Sequence, residues 1–529
     1  MKNAILGACA LLSTSAALAQ NNTATTTQIG TSQTATVSQT GNRLTATISQ
    51  AGTVAGNVAN QATTTQTGAG HVATVNQNND AKYNTAVITQ NVLTTGAGSN
   101  SATINQNASG GTGLYEGNYG AVFQTGSANK ATVDQNGGTK RSTGFISQSG
   151  SQNTATTSQN GAYGAAASVF QGFATPGTGN NAEVNQNNSR DNYAQINQLA
   201  NGNSATVLQS GNQSRNNRVE IYQNQRVYTG ALAGAGNNRA IVQQETNAPE
   251  PPSTGTGTSF STFNQAFIQQ LGDNSYADIK QRKDASNNYA VINQLYGTGS
   301  DARIQQEYQA TSNNRADIYQ YGDRQTAYVA QIKASDNRAL INQGSVGSSD
   351  NRAYSYQSFS TNGQVGIAQN TMVAGSNNFA EVVQGNYLAD PDRTNGNVAS
   401  VQQEGSRNQA RLIQTGVGMG MGSNTATLGQ FGNNNVIGGT ARIPDPVDTY
   451  HRDTFNAAVQ DGGYNSMTVT QTSPGGANST VFNTASLGQK GTNNVLTLTQ
   501  NAMTVGNAAT ITQTGMMNQA IVQQNGMTP

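Results

Sequence analysis

A five-residue segment, Ala-x-(Val/Ile/Leu)-x-Gln, recurs along nearly the whole chain and constrains its fold more than any other feature. Successive glutamines are often 11 residues apart, as in Gln28, Gln39 and Gln50. Where the spacing is longer, the segment keeps its length and only the linker after the glutamine changes. Internal repeats of this kind are typical of solenoids, in which each repeat packs on its neighbours. Clear copies begin at Ala46, Ala73, Ala194, Ala339 and Ala509.

The repeated residues alternate with polar ones. The alanine, the aliphatic residue and the glutamine share one face of an extended strand, and Thr, Ser, Asn, Asp, Arg or Tyr occupy the other. The linkers contain Gly and Asn, as in Gly41-Asn42, and both residues tolerate positive φ in turns. The sequence therefore predicts an all-β fold. We expect a parallel β-solenoid of stacked β-arches, with two short strands per turn of about 22 or more residues and with loop insertions.

Vertical stacking of the strands would place like residues over like, because parallel strands lie about 4.8 Å apart. Inward amides would then hydrogen-bond from one turn to the next, whereas a buried amide without a partner costs about 1–3 kcal/mol. We therefore expect the repeated inward glutamines to act as structural stacking residues. They include Gln77, Gln90, Gln198, Gln209, Gln281, Gln320, Gln331, Gln343, Gln513 and Gln524.

The composition excludes a thick globular core. The 529 residues include 60 Gly and no Trp, and only 10% are charged. Such a chain forms either a disordered polar tract or a thin repeat structure. Disorder does not require an aliphatic residue at a fixed place between Ala and Gln, so the repeat structure is favoured. The net charge of +1 predicts neither nucleic acid nor an anionic membrane as a partner.

The N-terminus has the features of a secretory signal. Lys2 precedes a small-to-apolar run, and residues 17–19 form an Ala-Leu-Ala cleavage site, which predicts a signal peptide over residues 1–19. Cys9, the only cysteine, lies within it, so the mature chain would contain no disulfide. No other segment approaches the length of a membrane span. We expect residues 20–529 to form one solenoid domain, with loop insertions near 108–120, 226–237, 245–264, 386–397 and 433–456.

The sequence offers little for catalysis. Neither of the two histidines, His71 and His451, is accompanied by a nucleophile elbow or a cysteine. Three aspartates near His451, at positions 445, 448 and 453, could join it around a cation, but loops of this kind are more often simply solvated. We therefore expect no catalytic residues, no cofactor and no metal site, and a protein that is not an enzyme.

Residues 148–155 and 403–410 both follow the pattern Gln-x-Gly-x-x-Asn-x-Ala. This pattern resembles the curlin repeat of the bacterial curli major and minor subunits, and the resemblance extends over nearly the whole predicted mature chain. By that pattern the stacking residues are Gln39, Gln50, Gln148, Asn153, Gln159, Gln403, Asn408 and Gln414.

The resemblance implies a functional amyloid secreted by a Gram-negative bacterium. Such a subunit crosses the outer membrane through a curli-type channel and polymerises with itself, with a nucleator subunit as partner. The product is an extracellular cell-surface fibre that supports adhesion and the biofilm matrix, with host or matrix surfaces as further partners.

Three other functions remain open from the sequence. The first is a cell-surface adhesin with the same β-solenoid that does not polymerise. The second is an ice-binding solenoid, since outward threonine pairs occur at 45/47, 468/470 and 497/499, although they do not persist through the middle of the chain. The third is a parallel β-helix enzyme such as a polysaccharide lyase, which would need clustered carboxylates or basic residues in a groove, and the repeated segments show no such cluster.

Overall fold

A computed structural model describes most of the chain, and the described residues form two compact units, Met1–Phe263 and Asn264–Pro529. The predicted signal peptide and most residues of the five predicted insertions lie outside the described residues. The described ranges are 21–51, 59–78, 82–92, 99–107, 117–172, 177–211, 214–223, 236–245, 261–282, 285–295, 297–307, 312–345, 347–372, 375–385, 394–415, 423–438, 457–474, 481 and 483–526.

The first unit contains strands and no helix within the described ranges. Its strands are β1 Thr23–Ile29, β2 Thr34–Asn42, β3 Thr45–Ala51, β4 Gln61–Ala69, β5 Val72–Asn76, β6 Thr85–Asn91, β7 Ser101–Asn105, β8 Tyr119–Ser127, β9 Lys130–Asp134, β10 Thr143–Ser151, β11 Thr154–Ser158, β12 Ala166–Gln171, β13 Gly177–Thr178, β14 Asn181–Asn185, β15 Ser189–Arg190, β16 Tyr193–Gln198, β17 Ser204–Ser210, β18 Ser214–Arg215, β19 Arg218–Gln223, β20 Arg239–Glu245 and β21 Ser261–Thr262.

The second unit, within its described ranges, likewise contains strands joined by turns and no helix. They are β22 Gln265–Gln270, β23 Tyr276–Arg282, β24 Tyr289–Leu295, β25 Asp301–Glu307, β26 Arg315–Tyr321, β27 Thr326–Ile332, β28 Arg338–Gln343, β29 Arg352–Ser358, β30 Ser360–Thr361, β31 Gln364–Gln369, β32 Phe379–Gln384, β33 Thr394–Asn395, β34 Val398–Glu404, β35 Gln409–Thr415, β36 Thr425–Phe431, β37 Val436–Gly438, β38 Ala458–Gly463, β39 Ser466–Thr472, β40 Thr484–Thr492, β41 Val495–Ala502, β42 Ala508–Met516 and β43 Gln519–Gly526.

Each unit consists of two parallel sheets, and the chain alternates between them. A strand pairs with the strand of the same sheet one turn later, as β1 does with β3 and β2 with β4. Sheet I contains β1, β3, β5, β7, β9, β11, β14, β17 and β20 in the first unit, and β23, β25, β27, β29, β32, β35, β37, β38, β40 and β42 in the second. The other long strands form sheet II of each unit. The predicted parallel β-solenoid is thereby confirmed.

The strand register places identical repeat positions on top of one another. Between β1 and β3, Ala24 pairs with Ala46 and Gln28 with Gln50. The register is also kept where the linkers are long. For example, β35 places Gln414 opposite Gln460 of β38. The linker between turns therefore absorbs the variation in length, and the strands do not.

Alternating burial produces a thin core between the two sheets. In β3, Ala46, Ile48 and Gln50 are fully buried, while the residues between them are partly exposed. Leucine and isoleucine are the largest fully buried side chains of the described residues. Space in this core is tight. At Gly144, which occupies an alanine position of the repeat, an added Cβ would lie 2.6 Å from a Val133 methyl carbon.

Two positions in the turns have a left-handed backbone conformation, with positive φ. Glycines stack where the chain leaves a strand, and a Cβ on Gly462 (φ 109°) would lie 2.0 Å from the carbonyl oxygen of Gly491. The second position lies two residues before the next strand begins, next to an inward asparagine, and it is frequently not glycine, as at Gln152 (φ 58°) and Arg407 (φ 59°). The sequence predicts positive φ at the Gly and Asn residues of the linkers, and the structure shows it at other residues as well. Backbone hydrogen bonds to the preceding turn of the stack, such as Gln152 N–H to the Ser127 carbonyl oxygen at 3.0 Å, hold this conformation, so other residues adopt it despite the steric cost.

Candidate functional site: stacked amide ladders

The inward glutamines form continuous hydrogen-bonded ladders within each unit. In each ladder the Nε2 of one glutamine donates to the Oε1 of the glutamine one turn later, at 2.7–3.0 Å. In sheet I the ladders run through Gln28, Gln50, Gln77, Gln106, Gln135, Gln159, Gln186, Gln209 and Gln244, and through Gln281, Gln306, Gln331, Gln357, Gln384, Gln414, Gln460, Gln489 and Gln513.

Sheet II carries equivalent ladders. They run through Gln39, Gln66, Gln90, Gln124, Gln148, Gln171, Gln198 and Gln223 in the first unit, and through Gln270, Gln294, Gln320, Gln343, Gln369, Gln403, Gln430, Gln471, Gln500 and Gln524 in the second. The four series are called the glutamine ladders below.

The second amide hydrogen of most ladder residues links the two sheets. Gln50 of sheet I donates from Nε2 to the carbonyl oxygens of Thr34, at 3.1 Å, and Asn60, at 3.2 Å, both beside strands of sheet II. In the opposite direction, Gln66 of sheet II donates to the carbonyl oxygen of Thr45, at 3.0 Å. A ladder amide thus has hydrogen-bond partners for its own polar atoms and also joins the two sheets by hydrogen bonds. A buried aliphatic residue could not make these bonds.

Inward asparagines at the turns form a second series, the asparagine columns. Asn153 Oδ1 accepts the backbone N–H of Asn180 at 3.1 Å, and Asn153 itself donates from its backbone to Asn129 Oδ1 at 3.1 Å. Its Nδ2 donates to the carbonyl oxygen of Gly177 at 3.0 Å. Asn408 makes the same set of bonds, including Nδ2 to the Gly432 carbonyl oxygen at 2.8 Å. The asparagine side chain therefore holds the glycine turn of the next repeat.

The residues proposed from the sequence for stacking all lie in these ladders and columns. Gln50 and Gln77 contact each other directly, at 2.8 Å, as do Gln320 and Gln343, at 3.0 Å. The others are joined through ladder members that sequence reasoning did not single out. Many of those members, such as Gln106, Gln186 and Gln306, end regular copies of the repeat, so the same sequence pattern would have found them. The role of the whole set in fibre assembly stays a prediction.

The glutamine ladders have a direction. In both sheets of both units the donor faces the later turn and the acceptor faces the earlier one, as in Gln489 Nε2 to Gln513 Oε1 at 2.9 Å. Within the described residues, β1 and β2 have no earlier strand beside them, and β42 and β43 have no later one. One edge therefore presents glutamine oxygens and the other presents glutamine N–H groups.

His71 replaces asparagine in one column. Its ring is buried, with Nδ1 accepting the backbone N–H of Asn100 at 3.1 Å and Nε2 lying 3.2 Å from the Thr67 carbonyl oxygen. Burial lowers the pKa of His71 from its usual value, and the bond to Thr67 opposes that shift. The neutral tautomer with its proton on Nε2 satisfies both contacts.

The described part of the chain contains no cluster of three or more His, Cys, Asp or Glu side chains arranged for a metal ion. His451 and the aspartates near it lie outside the described residues. Among the residues that are described, no helix is long and apolar enough to cross a membrane.

A family model described as the curlin associated repeat matches residues 19–52 and 311–344, one segment in each unit. No curated protein matches the chain. The matched segments contain β1 to β3 and β26 to β28, whose inward glutamines belong to the ladders. The family is structural rather than catalytic. The two matches, on a parallel β-solenoid with stacked amides, show that the chain contains curlin repeats and support its identification as a curlin-repeat protein.

Proposed function

We propose that the protein is a secreted structural subunit that polymerises into curli-like amyloid fibres by stacking strands end to end, and that the fibres support adhesion and the biofilm matrix. The proposal depends chiefly on the exposed edge strands. Repeat proteins that remain monomeric need terminal repeats that cover the last core layer. No described residue covers β43, whose burial alternates only between exposed and partly exposed.

The edges suit addition of another copy of the chain. Gln513 and Gln524 end the ladders of β42 and β43 with amide donors, and Gln28 and Gln39 begin theirs with acceptor oxygens. A second copy that places its β1–β2 edge on the β42–β43 edge would continue both glutamine ladders. Open parallel edges of this kind act as templates for strand addition.

The proposal also covers secretion and partners. It comprises removal of a signal peptide at residues 1–19, passage through a curli-type outer-membrane channel of a Gram-negative cell, and a nucleator subunit that starts the fibre. The predicted solenoid domain over residues 20–529 and its loop insertions are part of the same proposal.

Adjacent residues of β43 provide a matched test. Val522 faces inward at the β42–β43 edge, whereas Ile521 faces outward and is 69% exposed. An inward-pointing charge on an edge strand blocks further pairing. Val522→Asp should therefore slow seeded fibre growth by at least about tenfold, whereas Ile521→Asp should retain most of the growth rate.

The measurement is dye fluorescence and cross-β diffraction of the purified mature protein, with and without preformed seeds. Wild-type protein that stays monomeric at high concentration would refute the proposal and favour the adhesin that does not polymerise. Equal growth of the two variants would refute addition at this edge.

A further inference from the structure

Four basic side chains gather at one turn edge of the first unit. Lys140 pairs in register with Tyr163, Tyr163 with Arg190, and Arg190 with Arg215, each one turn after the last. Arg141 lies next to Lys140 and donates from Nη1 to the Tyr163 hydroxyl at 2.8 Å. The four cations, with Tyr163 among them, are called the basic stripe. Three intervals of about 4.8 Å give it a length of about 14 Å.

The three arginines of the stripe have few carboxylates near them. The four turns that carry it, residues 135–142, 159–165, 186–192 and 211–217, contain a single carboxylate, Asp191. Asp191 lies 3.3 Å from the Arg190 guanidinium, and both side chains are about half exposed. Within the described chain, neither Arg141 nor Arg215 has a carboxylate at ion-pair distance. Arg190 and Arg215 lie on neighbouring turns, about 4.8 Å apart along the stack, which is less than the Debye length of about 8 Å, so their potentials add.

Several arginines of the second unit show the opposite arrangement, because a carboxylate lies at ion-pair distance from each of them. Arg282 lies 2.7 Å from Glu307, and Arg324 lies 2.8 Å from Asp350. Moreover, the turn position that holds the basic stripe in the first unit holds small hydroxyl residues in the second. They are Ser286, Ser312, Ser335 and Thr361, which pair in register. The fold therefore does not require basic residues at this position, and stacking them costs repulsion.

We infer that the basic stripe binds a linear acidic polysaccharide, one that carries carboxylates along an extended chain. A row of exposed cations on a rigid edge attracts a linear polyanion without any pocket. The arrangement disfavours single-stranded nucleic acid, which needs an aromatic face for base stacking. Guanidinium groups of Arg141 and Arg190 lie over the Tyr163 ring, at 5.6 and 5.2 Å from its centre, and occupy that platform.

The inference concerns a surface away from the strand edges that would join copies, so it does not depend on fibre formation. It assigns a chemical class to a matrix partner. Binding to the soluble protein and growth of fibres can therefore be measured separately, and either can fail alone.

The test uses the full mature protein before polymerisation, with alginate as the uronic acid polymer. The stripe variant combines Arg190→Ser and Arg215→Ser, since serine fills this position in the second unit, with Arg141→Asn, since Arg141 has φ 52° and Asn tolerates that conformation. The control is Arg338→Gln, which removes an exposed outward charge from β28 of the second unit. Dextran is the neutral polymer, and a poly-dT strand is the nucleic acid.

We expect alginate to bind the wild type and dextran not to bind. The stripe variant should bind alginate at least about tenfold more weakly, and the slope of log Kd against log salt should fall by up to about one for each cation removed. Arg338→Gln should bind like the wild type, and circular dichroism should show the same sheet content in all variants. Absence of alginate binding, equal losses in the two variants, or tighter binding of poly-dT than of alginate would each overturn the inference.

Discussion

Changing a single ladder amide to a carboxylate should disrupt the core locally. Gln306 accepts from Gln281 at 2.8 Å and donates from Nε2 to Gln331 Oε1 at 2.7 Å, and also to the carbonyl oxygens of Tyr289, at 3.4 Å, and Asn314, at 3.3 Å. The substitution Q306E keeps the shape and the accepting oxygen but removes all three donated bonds. At a net value of about 1 kcal/mol each, their loss costs about 3 kcal/mol.

The introduced carboxylate would also be buried without a cation, which raises its pKa. A carboxyl group whose pKa is higher in the folded than in the unfolded chain destabilises the fold as the pH rises through its unfolded value of about 4.3. The destabilisation should therefore be largest at neutral pH and should shrink in acid. The matched control is Q305E. Gln305 faces outward beside Lys280 in the register, and a carboxylate there could still accept from the Tyr328 hydroxyl.

Hydrogen exchange of peptides that cover β23, β25 and β27 provides the measurement, because repeat structures open locally. We expect faster exchange in Q306E at pH 7, partial recovery near pH 4, and nearly wild-type exchange in Q305E. Equal protection of the two variants at pH 7 would refute the argument that ladder amides must donate as well as accept.

Three further substitutions test other parts of the fold. His71→Asn should fold normally and be less sensitive to acid than the wild type. Burial lowers the pKa of His71, so the folded wild-type chain binds fewer protons than the unfolded chain and loses stability as the pH falls below about 6.5. Thermal melting at pH 7.5 and pH 5 measures this, and an equal drop in melting temperature for the variant and the wild type would contradict it. Gly144→Ala should lower the free energy of unfolding by about 1–3 kcal/mol through overpacking, whereas Gly488→Ala should lower it little, because the added Cβ would meet only an ordinary methyl contact. Urea unfolding compares the two variants, and equal midpoints would contradict the steric argument. Arg282→Met should cost about 3 kcal/mol, because Glu307 is 2% exposed and would lose its ion pair with Arg282; urea unfolding checks it, and a midpoint equal to that of the wild type would contradict the stated cause.

The sequence sufficed to predict the strands and their parallel stacking. Ala46, Ile48 and Gln50 alternate with polar residues over a fixed length, and only one register buries all three in every turn. That local pattern is repeated so often that tertiary context has little freedom to override it. The class of fold therefore followed from the periodicity and from the hydrogen-bonding needs of the glutamine.

Other features could not be predicted because they arise only when turns of unequal length are brought into register. Lys140, Tyr163, Arg190 and Arg215 are 23, 27 and 25 residues apart in sequence, and only the register of the strands that follow them places them on top of one another. The left-handed conformation of Arg407 was equally hidden, since its side chain gives no hint of positive φ. Local propensity favours Gly or Asn there, and hydrogen bonds from neighbouring turns override it.

The chain tolerates insertions because the hydrogen bonds of the ladders, and not the linkers, specify how the turns stack. Gln430 and Gln471 are 41 residues apart in sequence and still share a hydrogen bond of 3.0 Å, whereas Gln28 and Gln50 are 22 apart and share one of 2.8 Å. Closing a longer loop costs only about 0.6 kcal/mol for each doubling of its length, which is less than the cost of leaving one buried amide unpaired. Loops can therefore diverge while the ladders persist. New surface chemistry such as the basic stripe can be added at a turn without changing the strands that stack.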